Sequence, residues 1–160
     1  MILTSQIKTS TPFTLESEIS CADVDAYLGD FEDYSAVSPV RFKAVLKRSR
    51  KGIEMEAEIH AELKAPCQCC LDEVRFPFDL TCSLLLIEAA QAPKTDETCL
   101  SEEDLDVVIY NEPKINIEDI ILETVFLELE PCVRCSDNCK GLCPNCGQNL
   151  NHKKCVCTEF

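Results

Sequence analysis

The chain has 160 residues, 46 % of them apolar, with 29 acids against 15 bases and a formal charge of −14. That length suits one domain with a small appendage. The apolar share is too high for a disordered chain, and the charge argues against holding nucleic acid through overall positive potential. The longest apolar runs, Leu84 to Ile87 and Val107 to Tyr110, fall far short of the ~20 residues of a membrane span. Met1 to Lys8 lacks the basic and apolar regions of a secretory signal. Thirteen cysteines, odd in number and gathered in close pairs, point to a cytoplasmic protein that uses them for metal or thiol chemistry.

In chain order, a short strand is expected near Phe13 to Ile19, then a short helix or turn near Asp23 to Leu28. From Val40 the pattern sharpens. Val40, Phe42, Ala44 and Leu46 alternate with Arg41, Lys43, Val45 and Lys47. Lys51-Gly52 makes a turn, and Ile53, Met55, Ala57, Ile59, Ala61, Leu63 and Ala65 alternate with Glu54, Glu56, Glu58, His60, Glu62 and Lys64. After Pro66 to Leu71 a third run places Val74, Phe76, Phe78, Leu80, Cys82, Leu84 and Leu86 in one phase. A period of two marks strands with one buried face, and three such runs in sequence predict an antiparallel meander. The stretch Arg41 to Lys51 holds six bases and no acid (Arg41, Lys43, Lys47, Arg48, Arg50, Lys51). Paired across the turn with the acidic second strand, those bases would be partly neutralised.

Residues 88–106 read as an acidic loop, and Val107 to Tyr110 as a short strand. Asn116 is placed to cap a helix over Glu118 to Leu129, with Asp119 in the position of a capping-box carboxylate. Ile117, Ile120, Ile121, Thr124, Val125 and Glu128 lie at helical spacing, Leu122, Phe126 and Leu129 widen the apolar stripe that helix lays on the sheet, and Pro131 closes it. The expected architecture is α+β: an antiparallel β-meander packed by one main helix over residues 1–131, with a cysteine-rich zinc-binding tail over residues 132–160 packed on it. The tail has seven cysteines and almost no periodic apolar pattern, so something other than a hydrophobic core must order it.

Four cysteine pairs carry the chemistry. Cys67 and Cys70 are C-x2-C between two strands, Cys135 and Cys139 C-x3-C, Cys143 and Cys146 C-x2-C, and Cys155 and Cys157 C-x-C. Zinc takes four soft ligands in a tetrahedron, and two cysteines on a tight turn grip it from one side. Gly147 follows Cys146, where such a turn needs φ > 0. Cys155 and Cys157 are the natural partners of Cys143 and Cys146, and Cys135 with Cys139 the best remaining partners of Cys67 and Cys70, although other partitions of the eight are allowed. A redox C-x-x-C would open a helix after a strand, and none is expected after Cys70. Cys82 is expected to be a small buried hydrophobe and Cys21, Cys69, Cys99 and Cys132 incidental thiols. His60 should be solvated, and His152 is able to replace one sulfur. No phosphate-binding glycine loop and no nucleophile–histidine–acid motif is present, so no enzyme and no small-molecule substrate are expected.

The strings Ile117-Glu118-Asp119-Ile120-Ile121-Leu122-Glu123, Leu127-Glu128-Leu129-Glu130-Pro131, Cys139-Lys140-Gly141-Leu142-Cys143-Pro144-Asn145-Cys146-Gly147-Gln148-Asn149-Leu150-Asn151 and Cys155-x-Cys157, with the upstream Cys67-x-x-Cys70-Leu71, resemble the YceD family over roughly residues 40–157. The family's first pair usually reads Cys-x-Arg-Cys, and Cys69 stands in place of that Arg. A contact made by the Arg is then lost, and Cys69 becomes a rival of Cys70 for a metal. The resemblance implies ribosome biogenesis and accumulation of large-subunit (23S) rRNA, without an attached catalytic activity. The acidic charge favours a basic large-subunit ribosomal protein as partner. Contact with an rRNA precursor would need a local patch, either Arg41 to Lys51 or the tail bases that include Lys140. A thiol-redox or zinc-handling protein using the C-x-x-C pairs is the alternative.

Overall fold

Alternating apolar residues fix the centre of the structure. The computed structural model describes residues 1–8, 11–29, 33–91, 107–111 and 113–157. Its strands are β1 (Ile2–Leu3), β2 (Phe13–Ile19), β3 (Ser35–Ala36), β4 (Val40–Arg48), β5 (Ile53–Pro66), β6 (Glu73–Glu88), β7 (Val107–Tyr110) and β8 (Lys114–Ile115), and its helices α1 (Cys21–Leu28) and α2 (Ile117–Leu127). The main sheet runs β2-β4-β5-β6-β7, with β3 also paired to β5, and β1 pairs β8 in a small second sheet. In β4, Val40, Phe42, Ala44 and Leu46 are at most 3 % exposed, whereas Arg41, Lys43 and Lys47 face solvent. In β5, Ile53, Met55, Ala57, Ile59 and Leu63 are buried on the same face.

The expected meander is present in β4, β5 and β6, which pair antiparallel in sequence order. The sheet as a whole is mixed. β7 lies parallel to β6, Val107 opposite Leu85 and Tyr110 opposite Glu88. A parallel neighbour requires a crossover of a dozen or more residues, and the span between Glu88 and Val107 provides that length. The expected acidic loop at 88–106 lies mostly outside the described residues.

The expected main helix and the expected short element near Asp23 to Leu28, which is helical, both cover the buried face. Ser20 caps α1 by accepting from the Asp23 amide at 3.2 Å, and Val24 and Leu28 pack inward. Helix α2 buries Ile117, Ile120, Ile121, Leu122 and Val125 in the same core as β4 and β5. Full burial of each such side chain is worth about 1.5–3 kcal/mol. The helix begins at Ile117 and ends at Leu127, two residues short of the expected Leu129, where the Leu129 amide turns back to the Phe126 carbonyl at 3.3 Å. Asn116 holds the N-cap position, but its side chain makes no capping bond. Its Oδ1 is buried without a hydrogen-bond partner among the described residues. The capping box is therefore corrected: the residue follows β8 directly and is drawn inward with it. Cys82 is also corrected. It is on the inner phase of β6 but only half-buried, because a groove lined by Leu80, Leu84, Val108, Ile120 and Leu127 remains between β6, β7 and α2.

Gly52 shows how tightly the sheet is closed. At φ +156° it passes so near β6 that a Cβ would lie 2.4 Å from the Leu86 carbonyl oxygen. Gly52→Ala is expected to lower the unfolding midpoint sharply. Ile59→Ala, at a site with no exposure, is expected to cost about 2–5 kcal/mol by the same measurement. A Gly52→Ala chain with the wild-type urea midpoint would contradict this packing.

Candidate metal centres

The turn between β5 and β6 carries the first pair of thiols. The Cys67 amide donates to the Asp72 carbonyl and the Leu71 amide to the Cys67 carbonyl, both at 2.8 Å. Closing the turn places Leu71 at φ 64°, an uncommon conformation for a residue with a branched side chain, and leaves it 63 % exposed. Cys67 and Cys70 point inward, 0 % and 3 % exposed. The segment after α2 is pinned to this turn. The Gln68 amide donates to the Val133 carbonyl at 3.0 Å, the Gln68 side-chain amide to the Pro131 carbonyl at 2.9 Å, and the Tyr34 hydroxyl to the Glu130 carbonyl. Cys135 and Cys139 are thereby delivered to the first pair. Sγ of Cys67 is 3.8 Å from that of Cys139, and Sγ of Cys70 is 3.6 Å from that of Cys135.

The second cluster is built within the tail. The Gly147 amide donates to the Cys143 carbonyl at 2.9 Å and the Cys143 amide to the Gln148 carbonyl at 2.8 Å. Gly147 takes φ 71°, as the spacing required. Sγ of Cys155 then lies 3.3 Å from Cys143 Sγ and 3.4 Å from Cys146 Sγ, and the Cys157 amide donates to Cys155 Sγ at 3.2 Å. In each cluster the four sulfurs lie within 4.8 Å of one another. A metal–sulfur distance of about 2.3 Å sets the edge of a sulfur tetrahedron at about 3.8 Å. The observed separations are close to that edge and well beyond the ~2.05 Å of a disulfide. Four sulfurs without a carboxylate are a soft tetrahedral donor set of the kind zinc takes.

Electrostatics within the clusters also ask for a cation. The Cys135 amide, with those of Cys69 and Cys70, lowers the Cys67 thiol to about 6. The amides of Asn145 and Cys146 lower Cys143 to about 6. Cys70 receives help from the Asp72 amide, yet burial and the thiols of Cys67, Cys135 and Cys139 push it up to about 12. Cys155 and Cys146 push Cys157 up to about 12. One thiolate per cluster forms readily and another resists, because burial and the neighbouring thiols oppose a further charge. A bound dication removes that resistance.

His152, read from the sequence as able to replace one sulfur, belongs to neither group of four and instead joins Asp72, Asn149 and Asn151, which the sequence reading gave no role, in bracing the two clusters. Asp72 Oδ2 accepts from the Asn149 side-chain amide at 3.0 Å, is 2.9 Å from His152 Nε2, and lies 3.5 Å from Cys70 Sγ. The Asn151 side-chain amide donates to Cys139 Sγ at 3.3 Å. The available signal was a pair of asparagines between two cysteine pairs. Cys69 belongs to neither group of four sulfurs, and Cys132 donates to Gln68 Oε1 at 3.1 Å. Cys99 lies outside the described residues.

The candidate contact bases are scattered by the fold. Arg41 lies between Glu18 and His60 in the strand register, Lys43 between Glu16 and Glu58, and Lys47 opposite Glu54. Lys43 Nζ is 3.5 Å from Glu16, and His60 is exposed and paired with Asp79 at 2.6 Å. Arg48 donates to the Thr4 and Ile7 carbonyls at 3.1 and 3.3 Å, tying the N-terminus to the sheet. Arg50 and Lys51 are exposed in the β4–β5 turn, and Lys140 is exposed in the tail.

Residues 132–157 bury little apolar surface besides Val133, so their order should depend on the sulfur clusters. Zn²⁺ added to the reduced, metal-free chain is expected to slow amide exchange throughout residues 132–157 while leaving β4 and β5 unchanged. Equal tail protection with and without the ion would contradict this.

Comparison with known proteins extends the picture. Residues 55–159 match the family model described as "Large ribosomal RNA subunit accumulation protein YceD". The chain is 30 % identical over 118 residues to the uncharacterized protein YlbN of Bacillus subtilis (strain 168), covering 73 % of this chain and 64 % of that protein. It is 26 % identical over 149 residues to the chloroplastic large ribosomal RNA subunit accumulation protein YCED homolog 1 of Arabidopsis thaliana, covering 80 % of this chain and 46 % of that protein. The chain thus spans about two-thirds or less of the length of these curated relatives. No solved structure matches it. The family match covers well over half of the chain and includes all eight clustered cysteines: the chain belongs to the YceD family.

Proposed function

We propose that this protein is a cytoplasmic ribosome-biogenesis factor that supports accumulation of large-subunit rRNA, acts without catalysis, and holds two structural Zn²⁺ ions. Family membership is the observation that carries the ribosomal part of this reading. The two four-sulfur groups support the metal part. Cys67, Cys70, Cys135 and Cys139 hold one ion, and Cys143, Cys146, Cys155 and Cys157 the other. Each ion is structural: four protein ligands leave no open position for a substrate.

The partner is a basic large-subunit ribosomal protein or the rRNA precursor. A formal charge of −14 favours the protein. Contact with RNA is placed first in the tail, where Arg134, Lys140, Lys153 and Lys154 are exposed and Asp137 is the one acid among described residues 132–157. Arg50 and Lys51 come next. Arg41, Lys43 and Lys47 follow, since each lies beside at least one acid in the sheet, and Arg48 last. Thiol-redox chemistry is disfavoured by the grouping of the thiols in fours and by the strand, rather than helix, that follows Cys70.

The test is depletion of the protein in cells that carry it. The ratio of large- to small-subunit rRNA is expected to fall, to recover with the wild-type chain, and not to recover with a Cys143→Ser/Cys146→Ser chain. An unchanged ratio on depletion would overturn the proposal.

A further inference from the structure

We infer that the two cysteine clusters fill cooperatively, because the loop that closes the second cluster supplies the outer hydrogen bonds of the first. The inference rests on the reading of both clusters as metal sites. Asn149 and Asn151 lie between Cys146 and Cys155, so their placement depends on the second cluster being closed at both ends. Both reach across to the first. The Asn149 side-chain amide donates to the Cys70 carbonyl at 3.2 Å and to Asp72 Oδ2 at 3.0 Å. The Asn151 side-chain amide donates to Cys139 Sγ at 3.3 Å. Each asparagine is itself held. Asn149 Oδ1 accepts from the Asn151 amide at 2.9 Å, and Asn151 Oδ1 accepts from the Lys140 amide at 2.8 Å.

The loop also packs on the segment that sits directly on the first turn. Gly141, which accepts from the Leu150 amide at 3.0 Å, takes φ +68° over Cys69, and a Cβ there would come 3.1 Å from the Cys69 carbonyl oxygen. One thiol of the first cluster, Cys139, therefore takes a hydrogen bond from this loop, and Cys70 is held by the loop at its backbone carbonyl and through Asp72. A hydrogen bond to a ligand sulfur spreads its charge and fixes its direction, and loss of such partners typically weakens metal binding about 10- to 100-fold. Coupling of this kind is reciprocal, so filling the first cluster must favour the second by the same factor. Asn149 and Asn151 are positioning residues in this account, since neither is a ligand.

Stepwise affinities for Co²⁺, whose thiolate complexes absorb visible light, test this on the full-length reduced chain. Wild type is expected to bind two ions. With the second cluster broken by Cys155→Ser/Cys157→Ser, the first should bind about 10- to 100-fold more weakly than in wild type. The Asn149→Ala/Asn151→Ala chain keeps all eight cysteines and should bind two ions, with the first cluster weakened and no longer responsive to the second. A general loss of stability would weaken both clusters alike and would not remove their mutual dependence. Wild-type affinity of the first cluster in the Cys155→Ser/Cys157→Ser chain would overturn the inference, as would persistent coupling in the double asparagine variant. A wild-type chain that binds no ion overturns the metal reading itself, and that result is seen before any variant is compared.

Discussion

Sulfur–sulfur repulsion is the constraint on which the tail and its attachment to the sheet depend. Eight thiols are gathered into two groups, with neighbouring sulfurs 3.3 to 3.8 Å apart. Four thiolates at such distances cannot coexist in a partly buried site without a compensating cation. The backbone prepares for one: amides aimed at Cys67 and Cys143 draw one thiol of each cluster down to about 6. The chain after α2 buries few apolar side chains, so its attachment to the sheet runs through the first cluster, through Gln68, and through the Asp72–Asn149–His152 network. In the proposed reading, metal binding and folding of the tail are one event.

The hydrophobic part has a different logic. β4, β5 and the two helices share a core in which the largest side chains are nearly unexposed. The outer face of the sheet is a ladder of opposite charges, with Glu18, Arg41, His60 and Asp79 in one row. The sheet needs no metal for that core. Its contribution to the sulfur sites is to hold the β5–β6 turn rigid, so that Cys67 and Cys70 are presented on a fixed platform.

Much of this was legible in the sequence. Strict alternation from Val40 to Ala65 located β4 and β5, because a period of two is a local property. The parallel direction of β7 was not legible, since alternation says nothing about strand direction. Helix α2 announced itself through its apolar stripe, whereas the buried Oδ1 of Asn116 is a tertiary effect that overrides a local capping preference. Cysteine spacing identified the pairs. The roles of Asp72 and Asn149 were hidden because their partners are remote: Asn149 is 77 residues from Asp72 in the chain. The basic stretch at Arg41 looked like a patch in one dimension, and the register placed Glu18 beside Arg41, Glu16 and Glu58 beside Lys43, and Glu54 beside Lys47.

Cluster geometry and family membership thus bear on different parts of the account. Membership bears on the ribosome, and the sulfurs bear on how the chain is held in shape to act there. The metal content carries the larger share of the structural claim. Native mass spectrometry of the full chain, purified under reducing conditions, tests it most directly. The account predicts a mass excess of two zinc ions that disappears on acid denaturation together with the order of the tail. A chain that carries no metal, with the tail ordered all the same, would contradict it.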